Sequence, residues 1–365
     1  MNKQLDEVQY ARAFAMFAVL FVHFSSTGLG GVTPESSTFY IYSAFNTIGK
    51  IGVPVFFFLS GLVLLYSYNK RPFTKETILQ FYKKRLKYII VPYIVISTFY
   101  FVVSTVKYSS FTSVPAFLTD LGEALLWGKA YTHLYFLFVL LQFYLIFPFI
   151  LYFFKKVKVR VSVVLIVSLA LQFTWFYVNK NYVQVEARGS YFMSYLPFFL
   201  VGAAMGANYA QLDQWWQTNR KKMTAFIVTL FASAAVSLIV VDIWTRAGTL
   251  DNYLPSTPYR SYIFDGLWVL LGLAGSLFTL WLGKVVMALD YAPLQHFLNR
   301  LAQLSFGIYL IHPFFLLYFR DWLPSSTPLV FHGWQLFTAI AITGICWVLT
   351  SWLSKWKASW IIIGK

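Results

Sequence analysis

Arg12 and His23 are the two basic residues in the first apolar stretch of the chain. Eleven residues of α-helix make three turns plus about 20°, so both side chains would lie on one helix face, roughly 16 Å apart along the axis. Histidine can accept and return a proton near neutral pH, whereas the planar fork of arginine binds phosphate or carboxylate groups. The spacing therefore predicts a general base and an anion-binding residue at opposite ends of one transverse cavity.

Each of these residues also has a purely structural interpretation. Arg12 could extend its charged end to the lipid headgroups, and His23 could hydrogen-bond a neighbouring helix. Their common face favours a joint role, because ionisable side chains inside a membrane span usually point at a partner or a water-filled cavity. The sequence leaves both interpretations open.

The composition places these residues in a membrane. Hydrophobic residues make up 59% of the 365 residues and charged residues 12%, whereas a typical soluble domain is about 25% charged. Repeated apolar stretches approach the roughly 18 to 20 residues that cross a bilayer.

We predict an all-α integral membrane protein whose helices enclose a polar cavity, with residues 1–365 forming one domain and no separate soluble domain. The ten predicted transmembrane helices are Val8–Gly28, Thr47–Tyr68, Leu86–Val106, His133–Phe154, Val159–Val178, Ser190–Asn208, Met223–Val241, Ser261–Leu282, Leu301–Arg320 and Trp334–Leu353.

Lysine and arginine are divided unevenly between the two sets of loops. The termini and the loops after even-numbered spans hold 20 of them, and the remaining loops hold 7. Cytoplasmic loops are enriched in these residues, so both termini are predicted to be cytoplasmic. The same bias accounts for most of the net charge of +16 without a nucleic-acid partner. The first helix is expected to be retained, because it contains Arg12 and exceeds the length of a signal-peptide core.

The sequence excludes several kinds of site. Cys346 is the only cysteine, so neither an intrachain disulfide nor a cysteine-rich metal site can form. We find no P-loop, no Gly-x-Ser-x-Gly nucleophile motif and no histidine pair at i and i+4. We therefore predict no metal site and no bound cofactor. Residues 113–128 are expected to form a short interfacial helix on the outer face.

Several motifs together resemble the membrane acyltransferase-3 family, whose first helix carries Arg and His separated by ten residues after a Leu-Asp pair. Here that signature is Leu5-Asp6 followed by Arg12 and His23. The sequence departs from the family's pattern in two places. At 83–87, where the family often has an arginine cluster, the chain has a lysine-rich run with one arginine, Arg85. The tryptophan expected near Tyr135 is absent. The other matching segments, in the family's order, are GKIGVPVFFFLSG at 49–61, FYKKR at 81–85, VPY at 91–93, HLYFL at 133–137, YLPFFLVG at 195–202 and SFGIYLIH at 305–312.

The resemblance implies an O-acyltransferase in a bacterial cytoplasmic membrane. It would move a short acyl group, acetyl first and succinyl second, from cytoplasmic acyl-coenzyme A to a hydroxyl of a cell-envelope or exported glycan. Acyl-coenzyme A would be the donor substrate, and a glycan or lipid-linked glycan the acceptor. Partners would include membrane lipids and polysaccharide synthesis or export machinery. His23 would be the general base and Arg12 the second catalytic residue.

The resemblance also divides further residues between a donor side and an acceptor side. Cations are needed where the charged coenzyme approaches the membrane. The expected donor-side residues are Arg85, Lys84 and Ser60. The expected acceptor-side residues, which would orient the acceptor or His23, are His133, His312 and Asp265.

Two other functions suit a bundle with ionisable residues inside its spans. One is a transporter or flippase for a saccharide or lipid-linked sugar. The other is a noncatalytic component of a polysaccharide-export assembly, in which Arg12 and His23 would tolerate replacement. Within the enzyme interpretation, direct transfer and a relay through an acyl-histidine both remain open.

Overall fold

The computed structural model describes residues 5–252, 258–323 and 327–364. Lys3 and Lys365, which entered the loop-charge prediction, lie outside these ranges. Within them, all regular elements are helices, as the apolar stretches predict. The α-helices are α1 (Asp6–Leu29), α2 (Ser37–Gly49), α3 (Gly52–Tyr68), α4 (Lys75–Lys107), α5 (Val114–Trp127), α6 (Tyr135–Lys156), α7 (Val161–Val178), α8 (Leu196–Ala207), α9 (Tyr209–Thr218), α10 (Arg220–Arg246), α11 (Pro258–Leu289), α12 (Ala292–Phe319), α13 (Pro328–Leu353) and α14 (Ser359–Ile363).

Nine segments of the described chain are long and apolar enough to cross a membrane, one fewer than predicted. The difference is the predicted span Ser190–Asn208, where the apolar helix is the shorter Phe192–Ala207. Its α-helical part, α8, has 12 residues, about 18 Å at 1.5 Å per residue. Non-helical backbone at membrane depth is tolerated where protein surrounds it. That condition holds here, because Phe198, Phe199 and Ala203 are fully buried.

Helix α8 packs closely against α3 through glycine. A Cβ atom at Gly202 would overlap the carbonyl of Phe58, and one at Gly206 would overlap the carbonyl of Leu62. Small residues allow helix backbones to approach in this way. Because the contact advances by four residues along both helices, α8 runs parallel to α3.

A break in the second span lies directly on α1. The segment Ser37–Tyr68 is interrupted between α2 and α3, at Lys50 and Ile51. A Cβ atom at Gly49 would lie 2.7 Å from the carbonyl oxygen of Ala18, and one at Gly52 would lie 2.9 Å from the amide nitrogen of Val19. The two glycines therefore hold the break against the helix that carries His23.

Helix α1 is the centre of the bundle. It contacts α2, α3, α11, α12 and α13. Its buried positions include small residues, among them Ala11, Ala13, Ala15 and Ala18, which let several neighbours approach one helix. Helix α1 therefore has neighbours on several sides.

The predicted short helix at 113–128 is confirmed as α5. Its first turn is capped by Ser113, whose hydroxyl accepts a hydrogen bond from the amide of Ala116 at 3.4 Å. Leu118, Leu126 and Trp127 are exposed on it. An exposed apolar face suits a helix that lies in a membrane interface.

The parallel packing of α8 on α3 leads to a test of topology. If α8 completes a tenth crossing, both termini lie on one side. Cysteine would be placed at exposed Thr112, Gln217 or Lys355 in a Cys346→Ser background and treated in intact cells with a membrane-impermeant maleimide. We expect labelling at Thr112 alone, with Gln217 and Lys355 labelled only after permeabilisation. Labelling of all three in intact cells would show that α8 does not cross.

Candidate functional site

A cavity of about 200 Å³ lies beside His23. Its walls come from α1, the break between α2 and α3, the turn before α6, and helices α11 and α12. Apart from His23, the lining residues used in the argument below are Lys50, His133, Tyr135, Trp268 and Tyr309. A histidine on the wall of a cavity is suited to proton transfer to or from a group that enters it.

Three histidines from three parts of the chain meet at this end of α1. The ring centroids of His23 and His312 are 4.9 Å apart, and the two ring planes meet at 61° in an edge-to-face contact. The ring of His133 lies 6.2 Å from that of His312. The backbone of His133 is fixed by Tyr309, whose hydroxyl donates to the His133 carbonyl at 2.5 Å. The structure thus brings together His23 and two of the predicted acceptor-side residues.

The hydrogen bond of His312 indicates its tautomer. Its Nδ1 lies 2.9 Å from the carbonyl oxygen of Ile308, one turn earlier in α12. A carbonyl oxygen only accepts, so Nδ1 carries the proton of the neutral ring and Nε2 is left as an acceptor. Among the described residues, that Nε2 and both ring nitrogens of His133 are buried without a hydrogen-bond partner. These nitrogens can bind a hydroxyl or an N–H group that enters beside His23.

Arg12 lies at the other end of the same helix, among aromatic and basic residues. Its guanidinium is within electrostatic range of Tyr144 and Arg85, and its Nη1 is 3.5 Å from Gln9 Oε1. The Arg85 guanidinium lies 5.6 Å from the centre of the Tyr144 ring. The charges of Arg12 on α1 and Arg85 on α4 therefore reinforce each other at this end of the bundle, and positive charge of this kind attracts anions.

The other two predicted donor-side residues differ in their surroundings. Lys84 is exposed on the first turns of α4, as are Lys83 and Lys87. The Ser60 hydroxyl donates to the Phe56 carbonyl of its own helix at 2.8 Å. This bond is typical of serine in an apolar helix. It accounts for Ser60 without any contact to acyl-coenzyme A.

Asp265 forms an ion pair that the sequence does not indicate. Both carboxylate oxygens accept from Arg188, at 2.7 and 2.8 Å. The Arg188 guanidinium also lies 4.2 Å from the centre of the Phe176 ring. Asp265 precedes Trp268 of the cavity wall by three residues on α11, so the pair fixes the backbone from which that wall extends.

The residues that sequence reasoning missed surround Asp242, a buried carboxylate on α10. Lys50 Nζ lies 2.9 Å from its Oδ1, and Arg246 Nε lies 2.8 Å from its Oδ2. The Thr47 hydroxyl donates to Oδ2 at 3.1 Å. A signal was present, because Lys50 stands alone in an apolar span and Asp242 and Arg246 are four residues apart at the end of another.

Comparison with known proteins identifies the family. The family model described as an acyltransferase domain, Acyl_transf_3, matches residues 5–362. The chain belongs to the acyltransferase-3 family. Its resemblance to that family, stated above from the motifs alone, is confirmed across nearly the whole chain.

The acyltransferase-3 chain is also similar to curated proteins of Staphylococcus aureus. Those of strains MSSA476, MRSA252 and MW2 are each named a probable poly-beta-1,6-N-acetyl-D-glucosamine export protein. Each is 25% identical over 379 residues, covering 100% of this chain and 97% of the relative. No solved structure matches the chain.

The Arg188–Asp265 pair leads to a stability prediction. In Asp265→Asn, the Arg188 charge loses its partner beside the membrane, and we expect the free energy of unfolding to fall by about 1.5–3 kcal/mol. Thermal unfolding in detergent measures the change. Glu186→Gln is the matched control, because Glu186 pairs with Lys129 nearby but its side chain is 88% exposed. Equal unfolding temperatures for the two variants would contradict a structural role for the pair.

Proposed function

We propose that this chain is a membrane-bound O-acyltransferase of the bacterial cytoplasmic membrane. It transfers a short acyl group, acetyl first and succinyl second, from cytoplasmic acyl-coenzyme A to a hydroxyl of a cell-envelope or exported glycan. The observation that carries the proposal is helix α1, with the charges of Arg12 and Arg85 at one end and the contact between the rings of His23 and His312 at the other. Family membership supports the reaction type.

The Arg12 end is suited to the donor. Coenzyme A carries phosphates and cannot enter hydrocarbon unaided, so its approach requires cations. Arg12 and Arg85 supply two inside the bundle, and the exposed Lys83, Lys84 and Lys87 supply three at the start of α4. In this proposal the lysines attract the coenzyme, and Arg12 and Arg85 bind its phosphates, so that its flexible arm carries the thioester toward His23.

The His23 end is suited to proton transfer. The acceptor oxygen attacks the thioester carbonyl while His23 takes the hydroxyl proton. The carbon–sulfur bond then breaks, and the departing thiolate takes that proton as free thiol. His312 packs its ring against that of His23, which limits the orientations that the His23 ring can adopt. The same geometry is compatible with an acyl-histidine relay, which differs in placing the acyl group on His23 first.

The acceptor is proposed from the relatives. Their printed name specifies a polymer of N-acetyl-D-glucosamine, so an exported hexosamine polymer is our first candidate. The unpartnered nitrogens of His133 and His312 would bind its hydroxyls. Asp265 would act through the cavity wall, because its oxygens are engaged by Arg188.

A second function, participation in polysaccharide export without acyl transfer, is favoured by one observation. The relatives are named for export. In that case the cavity would hold a sugar in transit, and activity would not depend on an acyl donor. The cationic pair at Arg12 would then have no donor to bind, and its replacement would be tolerated.

Acyl transfer in isolated membranes tests the proposal. Radiolabelled acetyl- or succinyl-coenzyme A would be supplied with a poly-N-acetylglucosamine acceptor at matched protein levels. We expect His23→Ala to lower the rate about 10²- to 10⁴-fold, because it removes the general base. We also expect Arg12→Ala to raise the donor KM.

The controls for this experiment are exposed residues of the same types. They are His296→Ala at the opposite end of the helix that carries His312, and Arg160→Ala at the start of α7. Both should transfer label at the native rate. Full activity of His23→Ala would overturn the general-base assignment. No transfer by the native chain to any supplied glycan would favour the export function.

A further inference from the structure

Lys50 is the one formally charged residue among the described residues that line the His23 cavity. It lies at the break between α2 and α3, where Gly49 and Gly52 hold the backbone against α1. Its Nζ is 5.0 Å from the centre of the Phe264 ring. A lysine at such a position is unusual, because a charge inside a membrane span is costly unless it has a partner.

The partner of Lys50 is shared with a second cation. Asp242 binds Lys50 through Oδ1 and Arg246 through Oδ2, and it also accepts from Thr47. Arg246 lies on the same helix as Asp242, four residues later, and its Nη2 also donates to Asn46 Oδ1 of α2 at 3.3 Å. The cluster therefore holds two positive charges against one negative charge.

The surplus charge is not cancelled from the other walls. On α11, Asp265 is fully occupied by Arg188. On α12, Arg320 donates to the Thr27 hydroxyl at 2.9 Å and approaches the His23 carbonyl at 3.5 Å, which adds positive potential at this end of α1. The cavity beside His23 therefore has a positive surrounding, and the cation on its wall is Lys50.

We infer that the His23 cavity receives a substrate group bearing a negative charge, and that Lys50 is the residue that selects for it. This inference rests on the proposed acyl transfer and specifies its substrate. A structural ion pair would need only Arg246 and Asp242. The additional ammonium on the cavity wall gains a partner when a carboxylate enters.

The carboxylate has two chemical sources. It belongs either to the acyl group, as the free end of a succinyl chain, or to the acceptor, as an acidic sugar. In the first case Lys50 distinguishes succinyl- from acetyl-coenzyme A. In the second it distinguishes an acidic from a neutral glycan with the same donor.

The test compares substrates that differ only in this charge. Purified full-length chain would be assayed with acetyl- and succinyl-coenzyme A on a neutral N-acetylglucosamine oligomer, and with acetyl-coenzyme A on a uronate-containing oligomer. Lys50→Met removes the charge at nearly constant length and leaves the Asp242–Arg246 pair intact. We expect it to lower kcat/KM for the anionic substrate about 10- to 100-fold, with less than about a threefold change for its neutral counterpart. Lys50→Arg should retain most of the preference.

Controls separate this inference from general damage and from the proposed function. Lys129→Met removes an exposed cation whose partner, Glu186, is also exposed. It should leave unchanged the ratio of kcat/KM for the anionic substrate to kcat/KM for its counterpart without the carboxylate. If Lys50→Met accumulates poorly, Lys50→Gln replaces it. Transfer that persists with the same charged-to-neutral ratio in native and Lys50-substituted protein would overturn the inference and leave the acyltransferase assignment standing.

Absence of transfer by the native chain would overturn the proposed function, and binding then decides the inference. The probes are radiolabelled succinyl-coenzyme A, compared with acetyl-coenzyme A, and the uronate oligomer, compared with the N-acetylglucosamine oligomer. A preference for the anion that is lost in Lys50→Met supports an anion site serving another activity. Equal binding of charged and neutral probes by native protein overturns the inference.

Discussion

A charged side chain inside a bilayer needs a partner, and this requirement organises the centre of the molecule. Asp242 is buried between Lys50 and Arg246, which connects α10 to the break in the second span. Asp265 is held by Arg188, which connects α11 to the turns before α8. These ion pairs fix the walls around His23. The polar residues of the site are therefore held in place by charge pairing, while apolar contacts supply the rest of the packing.

The same requirement explains why α1 can carry the chemistry. Its small residues allow five helices to surround it, and the glycines at the second-span break lie directly against it. Arg12 and His23 are both partly exposed on this helix. A donor bound at one end and an acceptor at the other would be joined through the interior, which is the arrangement that acyl transfer across a membrane requires.

Features that depend on helical periodicity and apolar length can be predicted from the sequence. Contacts between residues far apart in the chain are predicted less well. The shared face of Arg12 and His23, nine of the ten spans and the interfacial helix α5 follow from apolar length and the helical repeat. The short α8 does not, because its burial depends on close packing of Gly202 and Gly206 against Phe58 and Leu62 of α3, about 140 residues earlier in the chain. The partners of Asp242 and Asp265 likewise come from other helices. His133 and His312 could be selected as candidates by type, but their meeting at His23 required the fold.

Sided transfer tests the central claim, that one face of α1 joins a donor site to an acceptor site across the membrane. Sealed inside-out and right-side-out vesicles would receive labelled acyl-coenzyme A outside, with a membrane-impermeant glycan enclosed. The account predicts labelled glycan only in the inside-out vesicles, where the Arg12 end faces the added donor and the His23 end faces the enclosed acceptor. Labelling only in right-side-out vesicles, or only when donor and glycan share one compartment, would contradict it.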